Sequence, residues 1–553
     1  MKSILKLLTL VLVLSMAPAG NSFSQVTQQW VRTNDGGNTQ MPQDVINAMV
    51  IDGNSNVYVT GQSGNSGFDY DIVTIKYNSS GAQQWLMRYH NPGGNVTEAI
   101  AAAIALDSSG NVFVCGKTEI GGNASDIIVI KYNSSGVQQW VKIIDGGELD
   151  YATSIAADIS GYSYVTGLLS SGPFVSDLYV TKYDPAGNTV LTRTFDLAAF
   201  GSVGTSLVLN NSGNIFVTGY SNTGMGVFDV VTIKYNSNGD SLWTRIFHNS
   251  QPPAFGDCYG TKLVVDANGD VFVGGNSGDS QTGVNYLTLK YNSSGAIQWN
   301  KYYHGPITSD DEITDIKADN LGNIYVTGKS FNSSSNADYV TIKYNSSGNQ
   351  TWLNRYNGTG NNDDVPYSLA LDNAGASYVT GIGNLSITGQ DIVTIKYDSS
   401  GIQKWLASFN GVVGNGTDQG HSVAVDPAGN VFVAGSSQGG GVRSDDYTTI
   451  MYSQPIGIQQ ISNQVPGTFN LTQNYPNPFN PSTKINFALP KDAFAKIIIY
   501  DVLGREVAKI VNENLKRGTY AADWDASNFS SGVYFYRLET DGYIETKKMV
   551  LLK

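Results

Sequence analysis

Seven acidic residues of this 553-residue chain recur at nearly one spacing. Asp44, Asp150, Asp311, Asp364 and Asp418 each lie eight residues ahead of an Asp that closes a short apolar run, and Glu98 and Asp257 lie one residue earlier still. Carboxylates gathered by such a repeat could do two kinds of chemistry. Their oxygens suit a hard cation such as calcium, and a pair flanking a scissile bond could act as acid and base. The same spacing suits a structural task, in which each Asp bonds the backbone of its own turn or pairs with a recurring lysine: Lys76, Lys131, Lys182, Lys234, Lys290, Lys343 or Lys396.

Other chemistry-bearing residues are sparse. His90, His248, His304 and His421 stand in different repeats, without metal-ligand spacing and outside any nucleophile motif of the Gly-x-Ser-x-Gly kind, so they read as loop or channel-mouth residues. Cys115 and Cys258 are too distant in the repeat order to meet at the roughly 4.4–6.8 Å a disulfide requires and read as free, buried thiols. The Asp-x-x-Gly turns lack the Gly at the sixth position and the Glu at the twelfth that a calcium loop needs. No motif demands a cofactor; calcium at the recurring carboxylates is the one candidate.

These residues must be positioned by a repeated unit. VIDGNSNVYVTG ends at Gly61, and relatives of it end at Gly116, Gly167, Gly219, Gly275, Gly328, Gly381 and Gly435, at spacings of 51 to 56 residues. A second string, DIVTIKYNSSGAQQW, ends at Trp85 and returns at Trp140, Trp243, Trp299, Trp352 and Trp405, with Leu191 in the third copy. β-Branched and aromatic runs separated by Asp/Asn/Ser/Gly turns predict four strands per unit. In the first unit, strand a ends at Asp52, strand b runs from Asn56 to Thr60, strand c from Asp71 to Tyr77, and strand d surrounds Trp85. The tryptophans read as packing between units. The b–c loops, such as GQSGNSGFDY and GKSFNSSSNA, run nine or ten residues and vary freely, whereas the a–b and c–d turns are nearly identical between copies.

Repetition of a four-stranded unit predicts a β-propeller. The eighth copy ends at Pro455 without its strand d, while Gln25 to Arg32, QVTQQWVR, resembles one. An unpaired edge strand is a liability, so the N-terminal strand is expected to complete the eighth blade and close the ring. The units resemble the bacterial β-propeller repeat family SBBP, over roughly residues 25 to 453. Members are mostly extracellular proteins without an assigned activity, so the resemblance implies a scaffold.

The ends of the chain carry addresses. Lys2 and Lys6 precede an apolar run, Leu7 to Met16, and then small residues, which is the order of a secretory signal peptide cleaved near Ser24. The run is short of the ~20 residues that span a bilayer. A polar stretch at 456–472 reads as a linker, and 473–553 alternates as a small antiparallel, Ig-like β-sandwich. Asn474-Tyr-Pro476-Asn477-Pro478-Phe479-Asn-Pro, Tyr500-Asp-Val-Leu-Gly504, Ser531-Gly532-Val-Tyr and the ending Lys547-Lys548-Met-Val-Leu-Leu-Lys closely resemble the type A C-terminal sorting domain of the type IX secretion system. That resemblance implies passage through the periplasm and across the outer membrane on the secretion machinery, then release or attachment to surface lipopolysaccharide.

The fold expected is therefore all-β: signal peptide 1–24, an eight-bladed β-propeller over 25–455, linker 456–472 and sorting domain 473–553. Lys and Arg number 33 against 46 Asp and Glu, which argues against a nucleic-acid or anionic-lipid surface. Residues 25–472 hold 20 basic and 37 acidic residues, a net charge of −17. The expected function is a secreted or cell-surface binding scaffold for a glycan, peptide or matrix component. A propeller hydrolase or lyase using the carboxylates is the alternative, and a quinoprotein-like redox enzyme a third reading suggested only by blade number and repeated Trp.

Overall fold

The computed structural model describes residues 26–35, 43–64, 69–91, 98–119, 124–172, 175–197, 201–222, 227–249, 256–279, 282–333, 336–439, 445–454, 459–462, 464–526 and 529–552. The expected signal peptide lies outside these residues. Every regular element described is a strand, arranged in ten four-stranded antiparallel sheets, and the first eight give the molecule a propeller-like form.

In sheets 1 to 7 the strands follow chain order, over 45–89, 99–144, 151–195, 202–247, 258–303, 312–356 and 365–409. Sheet 8 combines Asp418–Val425, Val431–Gln438 and Asp445–Ser453 with the N-terminal strand Thr27–Asn34, which pairs antiparallel with Asp445–Ser453 from Thr27↔Ser453 to Asn34↔Tyr447. Strand a of each sheet packs against strand a of the next, and strand a of sheet 8 against that of sheet 1. Apolar clusters lie between neighbours. One joins Tyr58, Ile72 and Trp85 of sheet 1 to Val112, Val114 and Ile130 of sheet 2, and another joins Trp30, Phe432 and Tyr447 of sheet 8 to Ile46, Val59 and Ile75 of sheet 1.

The tight turns form as their residue types require. Asp52 Oδ1 accepts the N–H groups of Asn54 and Asn56, both at 2.9 Å, and Asn78 Oδ1 accepts those of Ser80 and Ala82 at 3.1 and 2.8 Å. The c–d turn is also a latch between sheets. Trp85 Nε1 donates to Ser134 O at 3.2 Å, Trp243 to Ser293 O at 3.2 Å and Trp30 to Ser79 O at 3.1 Å. The indole lies on a glycine of the receiving turn: Gly136 has φ +85°, and a Cβ there would stand 2.8 Å from the Trp85 ring. In the third unit Leu191 fills the same place, against Gly239. The lysines of strand c point to these turns, Lys131 to Pro185 O at 2.9 Å and Lys343 to Ser399 O at 3.0 Å, each lying over an aromatic ring.

Sheet 8 has no c–d turn, because its strand d comes from the other end of the chain. Gln454 substitutes for the missing carbonyl. Its Oε1 accepts Trp405 Nε1 at 3.0 Å and Lys396 Nζ at 2.7 Å, and its Nε2 donates to Tyr378 Oη at 2.7 Å.

Three readings of local structure need correction. Strand b does not stop at Thr60 but runs over Val57–Gly64, pairing Gln62↔Ile72, Ser63↔Asp71 and Gly64↔Tyr70. The polar residues expected to form a ten-residue loop extend the ladder at its start and end, because main-chain pairing needs no apolar side chain. Second, Gln459–Ser462 and Asn470–Leu471, expected within a linker, are strands that pair with Gly518–Asp525 and Ser482–Leu489. Third, His421 is not a loop residue: it lies within strand a of sheet 8, where the pairing register shifts, and stacks on Tyr367 with ring centroids 5.1 Å apart.

The C-terminal region holds the other two sheets. One has the order Gln459–Ser462, Gly518–Asp525, Ser482–Leu489, Asn470–Leu471; the other Glu506–Leu515, Ala493–Tyr500, Gly532–Thr540, Tyr543–Leu551. They share one core, with Ile485, Phe487 and Trp524 from the first and Ile497, Tyr536 and Leu551 from the second. Among the described residues no helix is long and apolar enough to cross a membrane.

Candidate functional site

The face opposite the latched turns carries the b–c hairpins and the d–a connections, and all seven recurring carboxylates lie there. They are not held alike. Asp150 accepts the N–H groups of Gly146 and Ser170, each at 2.5 Å, and Asp364 those of Gly358 and Asn384 at 2.5 and 2.6 Å. Asp311 accepts Gly305 N and Phe331 N, and Asp418 accepts Gly411 N at 2.7 Å and Ser437 Oγ at 2.5 Å. Asp44 accepts Gly64 N at 3.0 Å. Each of these five ties the d–a connection of its own sheet to strand b. Their main-chain N–H groups reach backward as well: Asp150 donates to Ser125 O and Asp364 to Ala337 O in the preceding sheet, at 2.7 and 2.6 Å.

Glu98 instead pairs with Lys117 at 2.8 Å, and Asp257 caps Phe228 N at 2.9 Å and receives Tyr259 Oη at 3.1 Å. Strand-c lysines point to the opposite, latched face, so no recurring carboxylate takes one as partner in the described contacts. Burial dominates the titration of the five aspartates. It raises Asp44 and Asp364 to about 6 despite the N–H donors, and it raises Asp150, Asp311 and Asp418 above the usual carboxylate range. Cys258 occupies the register of these aspartates in sheet 5, with Sγ 3.3 Å from Ser277 Oγ; it and Cys115 are free and buried, with burial pushing the Cys258 thiol up to about 11.

A second set of carboxylates went unremarked in the sequence. The first residue of the DIVTIKY-like string is Asp71, Asp126, Asp177, Asp229, Asn285, Asp338, Asp391 or Asp446, six residues ahead of the strand-c tyrosine in every copy. Each stands one step beyond the last c–d ladder pair, opposite the residue five positions after the strand-d tryptophan or its Leu191 counterpart. The partner there differs from unit to unit. At that register Asp71 meets His90 Nδ1 at 2.8 Å and Asp229 meets His248 at 2.6 Å, while arginines two residues nearer the tryptophan, Arg88 and Arg355, reach Asp71 at 2.7 Å and Asp338 at 2.9 Å. Asp126 faces Asp145 instead, and burial with the charges of Asp145 and Asp150 raises it to about 6. His304 Nδ1 donates to Gly305 O, 3.1 Å away, and burial lowers His421 to about 4, so that it is neutral at physiological pH. The repeat string advertised these aspartates; only the pairing register reveals what each one faces.

In the C-terminal region the sorting-motif residues are brought together around the last strand. Tyr475–Pro476 and Asn477–Pro478 are cis peptide bonds. The Pro476 carbonyl accepts Asn474 Nδ2 and Thr483 Oγ1, at 3.0 and 2.8 Å. Asn477 Oδ1 accepts Val550 N at 2.9 Å, and Phe479, buried against Trp524 with centroids 5.5 Å apart, exchanges main-chain bonds with Val550 and Leu552 at 3.0 and 2.9 Å. Gly504, at φ +76°, closes the turn capped by Asp501, and Gly532 opens its strand. Lys547 pairs with Glu545 at 3.0 Å, while Lys548 is exposed and its carbonyl holds Gln473 Nε2 at 2.8 Å. Arg537, which the motif reading did not single out as a site residue, lies over the Tyr500 ring at 4.6 Å beside a hollow of about 260 Å³ that Gly504 also lines.

Comparison with known proteins agrees with these two parts. Residues 473–552 match the family described as a secretion system C-terminal sorting domain, and residues 411–441 match the SBBP beta-propeller repeat. The chain is 22% identical over 448 residues to an uncharacterized WD repeat-containing protein of Acanthamoeba polyphaga mimivirus, an alignment covering 66% of this chain and 31% of that protein. The chain thus spans about a third of that relative's length. Among solved structures, PorZ, an essential surface component of the type-IX secretion system of Porphyromonas gingivalis, shares 12% identity over 92% of this chain and 86% of its own, with a TM-score of 0.29. A polysaccharide lyase of family PL25, an ulvan lyase, shares 13% identity over 71% of this chain and 97% of its own, with a TM-score of 0.40. The chain therefore carries a β-propeller repeat and a sorting domain, and the sorting domain marks it as a secreted or cell-surface protein of the type IX system.

Proposed function

We propose that the eight repeated sheets are the blades of one closed propeller over residues 25–455, that residues 473–553 are an Ig-like sorting domain, and that the propeller displays a binding face outside the cell. The route begins with a cleaved signal peptide at 1–24 and passes through the periplasm. The propeller is then released or held on surface lipopolysaccharide. Its ligand is a glycan, a peptide or a matrix component.

One observation carries the binding reading: the two faces of the ring are under opposite demands. On one, the same indole-to-carbonyl latch recurs from sheet to sheet, leaving its turns no freedom to differ. On the other, hairpin tips and d–a connections change length and composition from copy to copy over a conserved ladder. Variable loops on a rigid scaffold are where proteins place recognition. The five most regular aspartates belong to the scaffold of that face, since backbone N–H groups bond both oxygens of Asp150, Asp311, Asp364 and Asp418 and one of Asp44, so a hydrolase or lyase would need other residues.

A glycan and polysaccharide array probed with the secreted protein tests the reading. Binding that is lost when one unit's b–c hairpin tip is exchanged for another's supports it; binding that survives every such exchange refutes the loop face as the site. Removing residues 473–553 tests the route separately. The truncated protein is expected to accumulate in the periplasm on cell fractionation, and unchanged appearance outside the cell would overturn the assignment.

A further inference from the structure

We propose that Asp126, Asp145 and Asp150 form a calcium site that joins sheet 2 to sheet 3. One carboxylate oxygen from each residue lies within 4.8 Å of the others. Asp126 comes from the start of strand c of sheet 2, Asp145 from just past the end of its strand d, and Asp150 from the connection entering strand a of sheet 3. The two neighbouring strands already touch there through a two-way contact, Asp150 N to Ser125 O at 2.7 Å and Ser125 Oγ to Asp150 O at 3.0 Å.

An acidic cluster alone would not mark a site, because exposed carboxylates gather without consequence. Here two further observations point to a missing cation. Asp126 is only 7% exposed, yet among the described residues its carboxylate has no hydrogen-bond donor or counter-charge; the charged groups acting on it are the two carboxylates facing it. A buried carboxylate without a donor or counter-charge is costly. The repeat also supplies internal controls. In sheets 1 and 4 the aspartate at the register of Asp126 meets an imidazole at the register of Asp145, with His90 at 2.8 Å and His248 at 2.6 Å. Sheets 3 and 8 set an acid at that register too, Asp196 facing Asp177 and Asp35 facing Asp446, but among the described residues it is at sheet 2 that three carboxylates converge within 4.8 Å. Asp145 thus stands where sheets 1 and 4 hold His90 and His248, and the place is ringed with oxygen.

The donor set selects the ion. Three carboxylates are hard oxygen ligands of the kind calcium takes, with its flexible coordination completed by water. Asp150 is held in place by Gly146 N and Ser170 N, and Asp145 by Gly147 N at 2.7 Å; each oxygen keeps a lone pair for the ion while the backbone fixes its direction. Bound there, calcium would cross-link two adjacent sheets at the rim of the loop face. This is independent of what the face binds.

The test uses the full secreted protein, dialysed against chelator and titrated with calcium chloride by calorimetry, alongside thermal unfolding with and without about 10 mM calcium, which saturates the ~0.1–1 mM sites usual in extracellular modules. One site in that range is expected, with Tm raised by a few degrees, roughly as saturating ligand raises it for a domain of this size. Asp145→Asn, at an exposed side chain whose loss does not threaten folding, should weaken binding at least about 10-fold. Asp145→His should restore the arrangement of sheets 1 and 4, giving a Tm that no longer responds to calcium. No heat and no Tm shift, the same shift with potassium chloride at matched ionic strength, or an undiminished response in Asp145→Asn would each overturn the proposal.

Discussion

If the ring is closed by its own N-terminal strand, then Trp30, close to that end of the chain, should matter as much as a tryptophan in the middle of the array. Trp30 is 9% exposed and Trp85 8%. Each lies on a glycine of the following turn, and each donates to a turn carbonyl, at 3.1 and 3.2 Å. Truncating a buried aromatic to alanine costs ~3–5 kcal/mol, and losing the indole hydrogen bond adds about 1; with part of the ring at the rim, about 4 kcal/mol is expected at either site. Unfolding entropy near 2.1 cal/mol/K per residue over roughly 430 residues gives ~0.9 kcal/mol/K, so Tm should fall by about 4 °C in both Trp30→Ala and Trp85→Ala. Differential scanning calorimetry reads both values. A Trp30→Ala protein within about 1 °C of wild type, beside a Trp85→Ala protein about 4 °C lower, would show that the N-terminal strand frays without consequence, and closure by that strand would have to be abandoned.

Two further outcomes follow from the same geometry. Gly136→Ala should destabilise by more than about 1 kcal/mol, because φ is +85° and the new Cβ would stand 2.8 Å from the Trp85 ring, whereas Gly53→Ala, with nothing within 4 Å, should leave urea unfolding almost unchanged; equal effects would deny the latch its role. Asp44 is raised by burial from 3.8 to about 6, so between those values the folded state binds the proton more tightly than the unfolded chain and stability falls as pH rises. Asp44→Asn removes that dependence: Tm measured from pH 4.5 to 7 should decline less steeply than in wild type, and an unaltered slope would refute the assignment.

The chain announced its scaffold plainly because the signals were local and repeated. Gly at a left-handed turn, Asp or Asn three residues before it and Trp four residues after it need no distant partner to be recognised. The ends of the hairpins were harder. Ser63 and Gly64 carry no apolar signature, and their place in the ladder shows only once Asp71 and Tyr70 are seen opposite. Gln459–Ser462 looked like linker for the same reason, since its pairing partner, Gly518–Asp525, lies some sixty residues on. The strand-c aspartates were printed in seven of the eight copies, but whether a carboxylate meets His90, Arg355 or Asp145 depends on cross-strand register, which the spacing of one string cannot convey. Gln454 was unreadable altogether: nothing in a lone glutamine after the last repeat says that it stands in for a carbonyl.

The strand Thr27–Asn34 leaves the ribosome before any repeat and finds its partner, Asp445–Ser453, only after the eighth unit has been made. Pairing between residues more than four hundred apart is the slowest kind of contact to form, because the intervening chain must be ordered before the two ends can meet. Until then sheet 8 offers an open edge and strand 27–34 is unclaimed. The segment that directs export is made later still, at 473–552. By the time that address can be read, every residue needed to shut the ring has been supplied. The order of the sequence therefore places completeness ahead of departure: a chain cut short before residue 445 lacks both the partner of strand Thr27–Asn34 and the sorting domain.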